Sequence, residues 1–132
     1  MNIGFIGTGV ITEAIVRGII KSDYSTTHIY ISLRNEAVSA RLKKLSSNVV
    51  VLKNNQEIVD RSDMIILAIL PQQAENVLVK LNFEDAAQIV SLIATMQIDK
   101  IREWTSQKAD ICRAVPLPSV ADHNGITTIF PP

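Results

Sequence analysis

Apolar positions recur along the chain with two periods in turn. Short apolar runs of strand length are each followed by a stretch in which apolar residues return every three or four positions. Met1–Ile6 is the first such run. Ile11, Ala14, Ile15, Gly18 and Ile19 then fall at i, i+3, i+4, i+7 and i+8, the spacing of one buried helix face. His28–Ser32 predicts a second strand, and the helix after it carries Val38, Leu42 and Leu45 on one side. Val49–Leu52 predicts a third strand, followed by a short helix over Gln56–Arg61. Met64–Leu70 (MIILAIL) is apolar without a break, as expected of a central parallel strand covered on both faces. Pro71 suits the first turn of a helix, where its missing N–H would be unpaired anyway, and Ala74, Val77, Leu78 and Leu81 give that helix a buried stripe. Gln88–Ala94, a helix near Ile98–Thr105 and Asp110–Val115 make a further β-α-β step, and Thr127–Phe130 predicts a last strand. The predicted fold class is therefore α/β, a doubly wound and mainly parallel sheet. One domain covers residues 1–130, and the Pro131-Pro132 pair reads as the start of a linker.

The first strand breaks into glycines before the first helix: Gly4-Phe5-Ile6-Gly7-Thr8-Gly9-Val10-Ile11-Thr12. In a Rossmann unit the first glycine permits the tight turn and the second lets a pyrophosphate approach the backbone. The third position lets helix and strand pack closely. Gly7 and Gly9 fill the first two roles, and Thr12 takes the third, where Gly or Ala is usual, so a helix set slightly further from the sheet is expected. Free N–H groups around Val10 and Ile11 then face the phosphates. The alternative is a structural β-α turn with no ligand.

The end of the second strand bears on which dinucleotide fits. About twenty residues beyond the third motif position, where an NAD site usually carries an acidic residue for the ribose hydroxyls, stands Ser32-Leu33-Arg34-Asn35. A carboxylate would repel a 2′-phosphate, whereas a hydroxyl, a guanidinium and an amide bind one through charge-assisted hydrogen bonds. NADP, with NADPH preferred over NADH, is the expected cofactor. The alternative for Arg34 is a solvated residue at a helix start.

Composition narrows the partners. The chain has 132 residues, 47% of them hydrophobic, with 13 basic and 13 acidic side chains. That balance argues against a polybasic nucleic-acid or membrane surface. No apolar run reaches the roughly 18–20 residues of a membrane span. The amino end lacks the basic region of a signal peptide, and Cys112, the one cysteine, leaves neither an internal disulfide nor a cysteine-based metal cluster, so a cytoplasmic location and no metal are expected. Structural or solvent-facing roles are expected for His28 and His123, a core thiol for Cys112, packing for Trp104, and a solvated face for Lys43, Lys44 and Glu75.

Taken in order, GFIGTGVITEAIVRGI, SDMIILAILPQQAENVL, IVSLIA, CRAVPLPS and NGITTIF resemble the N-terminal domain of pyrroline-5-carboxylate reductase. The resemblance covers essentially the whole chain, and its most specific pieces are Glu13-Ala14 and the string from Leu67 to Gln72. It implies an NAD(P)H-dependent imine reductase acting on a cyclic imine in proline biosynthesis. It also implies a homo-oligomer formed through an all-helical partner domain that completes the active site. Gly7, Thr8, Gly9, Val10 and Ile11 would hold the pyrophosphate, and Ser32, Arg34 and Asn35 the adenosine-side phosphate. Asn55 would touch the adenosine, with a helix cap or turn as its alternative role. Ala68, Ile69, Leu70 and Pro71 would line the nicotinamide-side ribose, as would Ala94 and Thr95. The sequence departs from the family where Lys usually stands at Leu70, Gly at Thr95 and Met-Pro-Asn-Thr-Pro at Val115–Ser119. No His, Tyr or Lys presents itself as a necessary acid, so no catalytic residue is assigned. Two rivals remain: another NADP-dependent reductase on the same scaffold, of β-hydroxyacid or F420-linked type, and a non-enzymatic NADP-binding module.

Overall fold

The computed structural model describes residues 1–24, 28–86 and 88–131. Its centre is a seven-stranded sheet in the order β3-β2-β1-β4-β5-β6-β7. The strands are β1 (Asn2–Ile6), β2 (His28–Ser32), β3 (Val49–Leu52), β4 (Met64–Leu67), β5 (Gln88–Ser91), β6 (Asp110–Val115) and β7 (Thr128–Phe130). The first six run parallel, and β7 returns antiparallel to β6. Between them lie α1 (Val10–Lys21), α2 (Glu36–Leu45), α3 (Asn55–Arg61), α4 (Pro71–Leu78) and α5 (Ile98–Trp104), and a 3₁₀ turn at Pro118–Asp122 precedes β7. Pro132, half of the expected linker pair, lies outside the described residues.

Strand alternation divides the core in two. Ile3 and Phe5 face one side with Val16, Ile29, Ile31, Leu42 and Ile66. Ile6 faces the other with Ile58, Leu67, Leu78, Phe83, Ile89 and Ile101. Chain direction across the sheet reverses between β1 and β4, since β2 and β3 lie to one side and β5 to β7 to the other. Ligand clefts of doubly wound sheets open at this point, outside the carboxyl ends of the strands.

Three differences from the sequence reading have local causes. Strand β4 ends at Leu67, not Leu70, because Pro71 keeps Leu70 in extended backbone (φ −70°, ψ 146°) and residues 68–70 turn outward to start α4. Strand β5 likewise ends at Ser91 rather than Ala94. Helix α1 buries Thr12, Ala14, Val16 and Gly18 fully and leaves Ile11, Ile15 and Ile19 half-buried. It is held from two sides: Val16 packs on the sheet, while the Val120 carbonyl of the 3₁₀ turn lies against Gly18. His123 anchors that turn, its Nε2 donating to the Gly18 carbonyl at 2.7 Å, so its role is structural.

Further out, Leu45 is exposed, and Lys43, Lys44 and Glu75 form solvated faces as expected. Trp104 packs against the core with the Lys100 ammonium 5.5 Å from its ring. Cys112 is only half-buried, contrary to its expected place in the core. The α1-side face of β5 and β6, which also carries Val90 and Leu92, is incompletely covered. Burial nonetheless pushes the Cys112 thiol above its usual range.

Candidate functional site: a cleft at the reversal of the sheet

A cleft of about 700 Å³ opens at the carboxyl ends of β1 and β4. Three segments build it. The β1–α1 turn contributes Gly7, Thr8, Gly9, Val10 and Ile11. Arg34, Asn35 and Glu36 come from the start of α2, and Ala68, Ile69, Leu70, Pro71 and Gln73 from the entry to α4, with Leu92 and Ala94 beyond β5.

The glycines have separable tasks. Gly7 has φ +103°, and a Cβ there would collide with the Ala68 carbonyl, so the turn needs both its left-handed backbone and its missing side chain. Gly9 sits in ordinary extended backbone, and a Cβ there would have no neighbour within 4 Å. Its missing side chain therefore leaves space in the cleft rather than relieving a clash.

That space lies at a helix N-terminus. Gly9 is the N-cap of α1 and offers no side-chain acceptor, and the first intrahelical bond runs from the Glu13 N–H to the Gly9 carbonyl at 3.1 Å. The N–H groups of Val10, Ile11 and Thr12 are left for an external acceptor. Helix α4 also enters without a side-chain cap, through Leu70 and Pro71. Two helix dipoles thus present uncapped positive ends to one cleft, an arrangement that favours an anionic ligand. Thr12 does more than fill the third motif position: it is fully buried and its Oγ1 donates to the Gly7 carbonyl at 2.8 Å, bracing the turn from the helix side.

Glu13 would place a negative charge beside this anion site, but two cations take it up. Its Oε1 accepts from Arg17 Nη2 and its Oε2 from Arg41 Nη2, each at 2.8 Å. The hydrogen bond from Arg41, then that from Arg17, lowers the Glu13 pKa to about 2. The pair with Arg41 also ties α1 to α2. Because the folded pKa lies below the unfolded one, this stabilisation is complete above about pH 4.5 and disappears as pH falls toward 2. The cluster is partly solvent-screened, so Glu13→Gln should cost about 1 kcal/mol at pH 7. Urea melts at pH 7 and pH 2.5 check this: the difference between the two proteins should shrink at the lower pH.

At the α2 end of the cleft stands Arg34, which is exposed and forms no ion pair among the described residues. Asn35 caps α2 by accepting from the Val38 N–H at 3.2 Å, which leaves its amide N–H groups available to the cleft. At the other end, Ala68, Ile69, Leu70, Pro71, Leu92 and Ala94 form an apolar wall. Among the described residues lining the cleft there is no His, Tyr, Lys or Cys.

Twelve of the fifteen residues expected at the site line this cleft. Ser32, Asn55 and Thr95 do not. Ser32 is buried behind the rim, with its Oγ 2.8 Å from the Thr8 Oγ1. Asn55 is the first residue of α3, whose N-cap is Asn54, accepting from the Glu57 N–H at 2.9 Å. Glu36, Gln73 and Leu92 line the cleft without having been expected to. Leu92 was accessible from register, since its N–H bonds the Leu67 carbonyl at 2.8 Å and places it level with the end of β4.

Beside the apolar wall, Thr95 adopts φ +60°, a strained backbone for a β-branched residue. Thr95→Gly should relieve that strain and, after the entropy cost of a glycine, stabilise the chain by about 0.5–1 kcal/mol. Thermal melting checks it, with a rise in Tm expected.

The sequence model of the family described as "NADP oxidoreductase coenzyme F420-dependent" matches residues 2–97. The chain belongs to this family. Its curated relatives are more specific. Pyrroline-5-carboxylate reductase 2 of Bacillus subtilis is 28% identical over 128 residues, covering 96% of this chain and 46% of that protein. The solved pyrroline-5-carboxylate reductase of Coxiella burnetii matches at TM-score 0.83 and 26% identity, over 97% of this chain and 48% of its own. The pyrroline carboxylate reductase of Plasmodium falciparum, solved with NADP bound, has TM-score 0.81 at 18% identity; the match covers 98% of this chain and 47% of its own, a likeness of fold alone. The resemblance seen in the motifs is thereby borne out, as is the Rossmann-like sheet. The chain spans about half the length of the curated relatives it matches.

Proposed function

We propose that this chain is the NADP(H)-binding half of a pyrroline-5-carboxylate reductase-like enzyme. The observation that carries the reading is the cleft itself, lined by an uncapped α1 N-terminus, open space at Gly9 and the Arg34 guanidinium, which forms no ion pair among the described residues. These features fit an extended dinucleotide bearing a diphosphate and a further phosphate ester. The α1 amides would hold the diphosphate, Arg34 and the Asn35 amide the 2′-phosphate, and the apolar wall from Ala68 to Pro71 the nicotinamide end. Ser32 and Asn55 are left out of that set of ligands. Arg34 is the basis for preferring NADPH to NADH, since a guanidinium gains charge-assisted bonds only from the phosphorylated ribose.

When bound, the reduced nicotinamide supplies a hydride to the carbon of a C=N bond. The wall of Ala68, Ile69, Leu70, Leu92 and Ala94 would exclude water and fix the ring plane, leaving alignment as this half's contribution. A proton for the imine nitrogen has no donor in that wall. We infer that the substrate pocket, its donor and a homo-oligomeric contact belong to a helical domain outside these residues, in a cytoplasmic enzyme. The half-length match to the relatives supports this. The isolated chain should therefore bind NADPH yet reduce pyrroline-5-carboxylate at under about 1% of the rate of a full-length relative, as such a donor contributes 10²–10⁴-fold. A steady-state assay tests this, and substantial turnover by the chain alone would refute it. A second reading, another reductase of the same family acting on a less polar acceptor, draws support from Leu70, which puts an exposed aliphatic side chain in the cleft.

A further inference from the structure

Ser32 ends β2 beside the cleft, yet its hydroxyl is turned inward. Its Oγ lies 2.8 Å from Thr8 Oγ1, its carbonyl accepts from Thr8 Oγ1 at 3.2 Å, and the same carbonyl accepts from Ser39 Oγ at 2.7 Å. All three residues are buried, with exposures of 6% for Thr8, 5% for Ser32 and 1% for Ser39. Each hydroxyl carries one proton, and one assignment spends all three: Thr8 and Ser39 donate to the Ser32 carbonyl while Ser32 donates to Thr8 Oγ1. In the ligand-free chain any other assignment leaves a buried hydroxyl proton without a partner among the described residues, which is unfavourable. No proton on Ser32 is then left for a phosphate.

Thr8 stands between Gly7 and Gly9, the two positions of the turn that carry no side chain to restrain it. The helix side of the turn is braced by Thr12. Among the described side chains, that of Thr8 braces the strand side, and its partner is the end of β2. A loop held this way before binding spares the ligand the cost of ordering it.

We propose that Ser32 is a positioning residue: its hydroxyl pairs with that of Thr8 to hold the Gly7–Gly9 turn in its anion-binding shape. It thereby sets affinity for the diphosphate common to both dinucleotides, not the choice between them. This rests on the dinucleotide reading above and assigns Ser32 a role different from that of Arg34.

The test compares Ser32→Ala, Thr8→Val, their double variant and the conservative Ser32→Thr, each titrated with NADPH and NADH, alongside amide hydrogen exchange of the ligand-free chain. Each single loss should weaken both dinucleotides by about 5- to 10-fold with their ratio unchanged, the cost of a loosened loop. The double variant should be no worse than Thr8→Val, because Thr8→Val already removes the bond between the two hydroxyls. Ser32→Thr should stay within about twofold of the parent, as it retains the hydroxyl. Amides of Gly9 to Ile11 should exchange faster in Ser32→Ala and Thr8→Val. Weakened NADPH binding with NADH untouched would make Ser32 a phosphate ligand and overturn the proposal, as would unchanged exchange in the turn. Should the parent bind neither dinucleotide, the cofactor reading fails and the exchange measurement alone decides the brace. If Ser32→Ala does not fold, Thr8→Ser, which keeps the hydroxyl, set against Thr8→Val, carries the same comparison.

Discussion

Gly9→Asp is expected to abolish dinucleotide binding while leaving the ligand-free chain as stable as before, or slightly more so. The two effects share one cause. Gly9 is the N-cap of α1 in extended backbone that any residue adopts, and nothing lies within 4 Å of a Cβ built on it. An aspartate there can turn its carboxylate onto the free N–H groups of Ile11 or Thr12, a favourable cap worth about 0.5 kcal/mol over glycine. Those are the amides proposed for the diphosphate, and the new charge occupies and repels where the diphosphate would lie. A loss of at least about 100-fold in affinity, or roughly 2.8 kcal/mol, should follow for NADPH and NADH alike. Calorimetric titration and thermal melting of the same preparation read both halves. Gly7→Ala should instead damage the fold, because it combines a left-handed backbone with a clash on the Ala68 carbonyl.

Arg34→Ala should separate the two dinucleotides. Removing charge-assisted hydrogen bonds to an ester phosphate costs about 1.5–3 kcal/mol, so NADPH affinity should fall by roughly 10- to 150-fold. NADH lacks that ester and should change by less than about twofold. Arg34 is exposed and unpaired among the described residues, so its loss should not move Tm. Paired titrations at two salt concentrations check the assignment, since the NADPH advantage of the parent should shrink as salt rises.

The sheet was legible in the sequence because periodicity reports burial directly. The run at Met64–Leu67 is buried between two layers, and the alternation of short apolar runs with helical stripes follows from strands alternating with helices around it. Strand ends were overrun at Leu70 and Ala94, where apolar residues continue past the ladder to line the cleft; an apolar residue facing a ligand looks like one facing the core. The glycine turn was legible because few conformations accommodate its backbone.

The side-chain bonds that pin that turn were not legible. Thr12 looked like an imperfect third glycine, and its bond to the Gly7 carbonyl depends on a geometry that residue type alone does not specify. Ser32 stood at the position expected to meet a phosphate, but Thr8, 24 residues earlier, takes its hydroxyl. Asn55 had a helix cap or turn as its alternative role, but α3 begins at Asn55 itself and the cap is its neighbour Asn54. Glu13 fell in a motif segment, while its function as a tie to Arg41 of α2 requires the two helices to be side by side.

We propose above all that the β1–α1 turn binds a phosphorylated dinucleotide in this chain. Fluorescence titration of the 132-residue chain with NADPH and with NADH tests it most directly. Saturable binding of both, with NADPH tighter by at least about tenfold, is the predicted result. Absence of binding to either dinucleotide, or a preference for NADH, would contradict it.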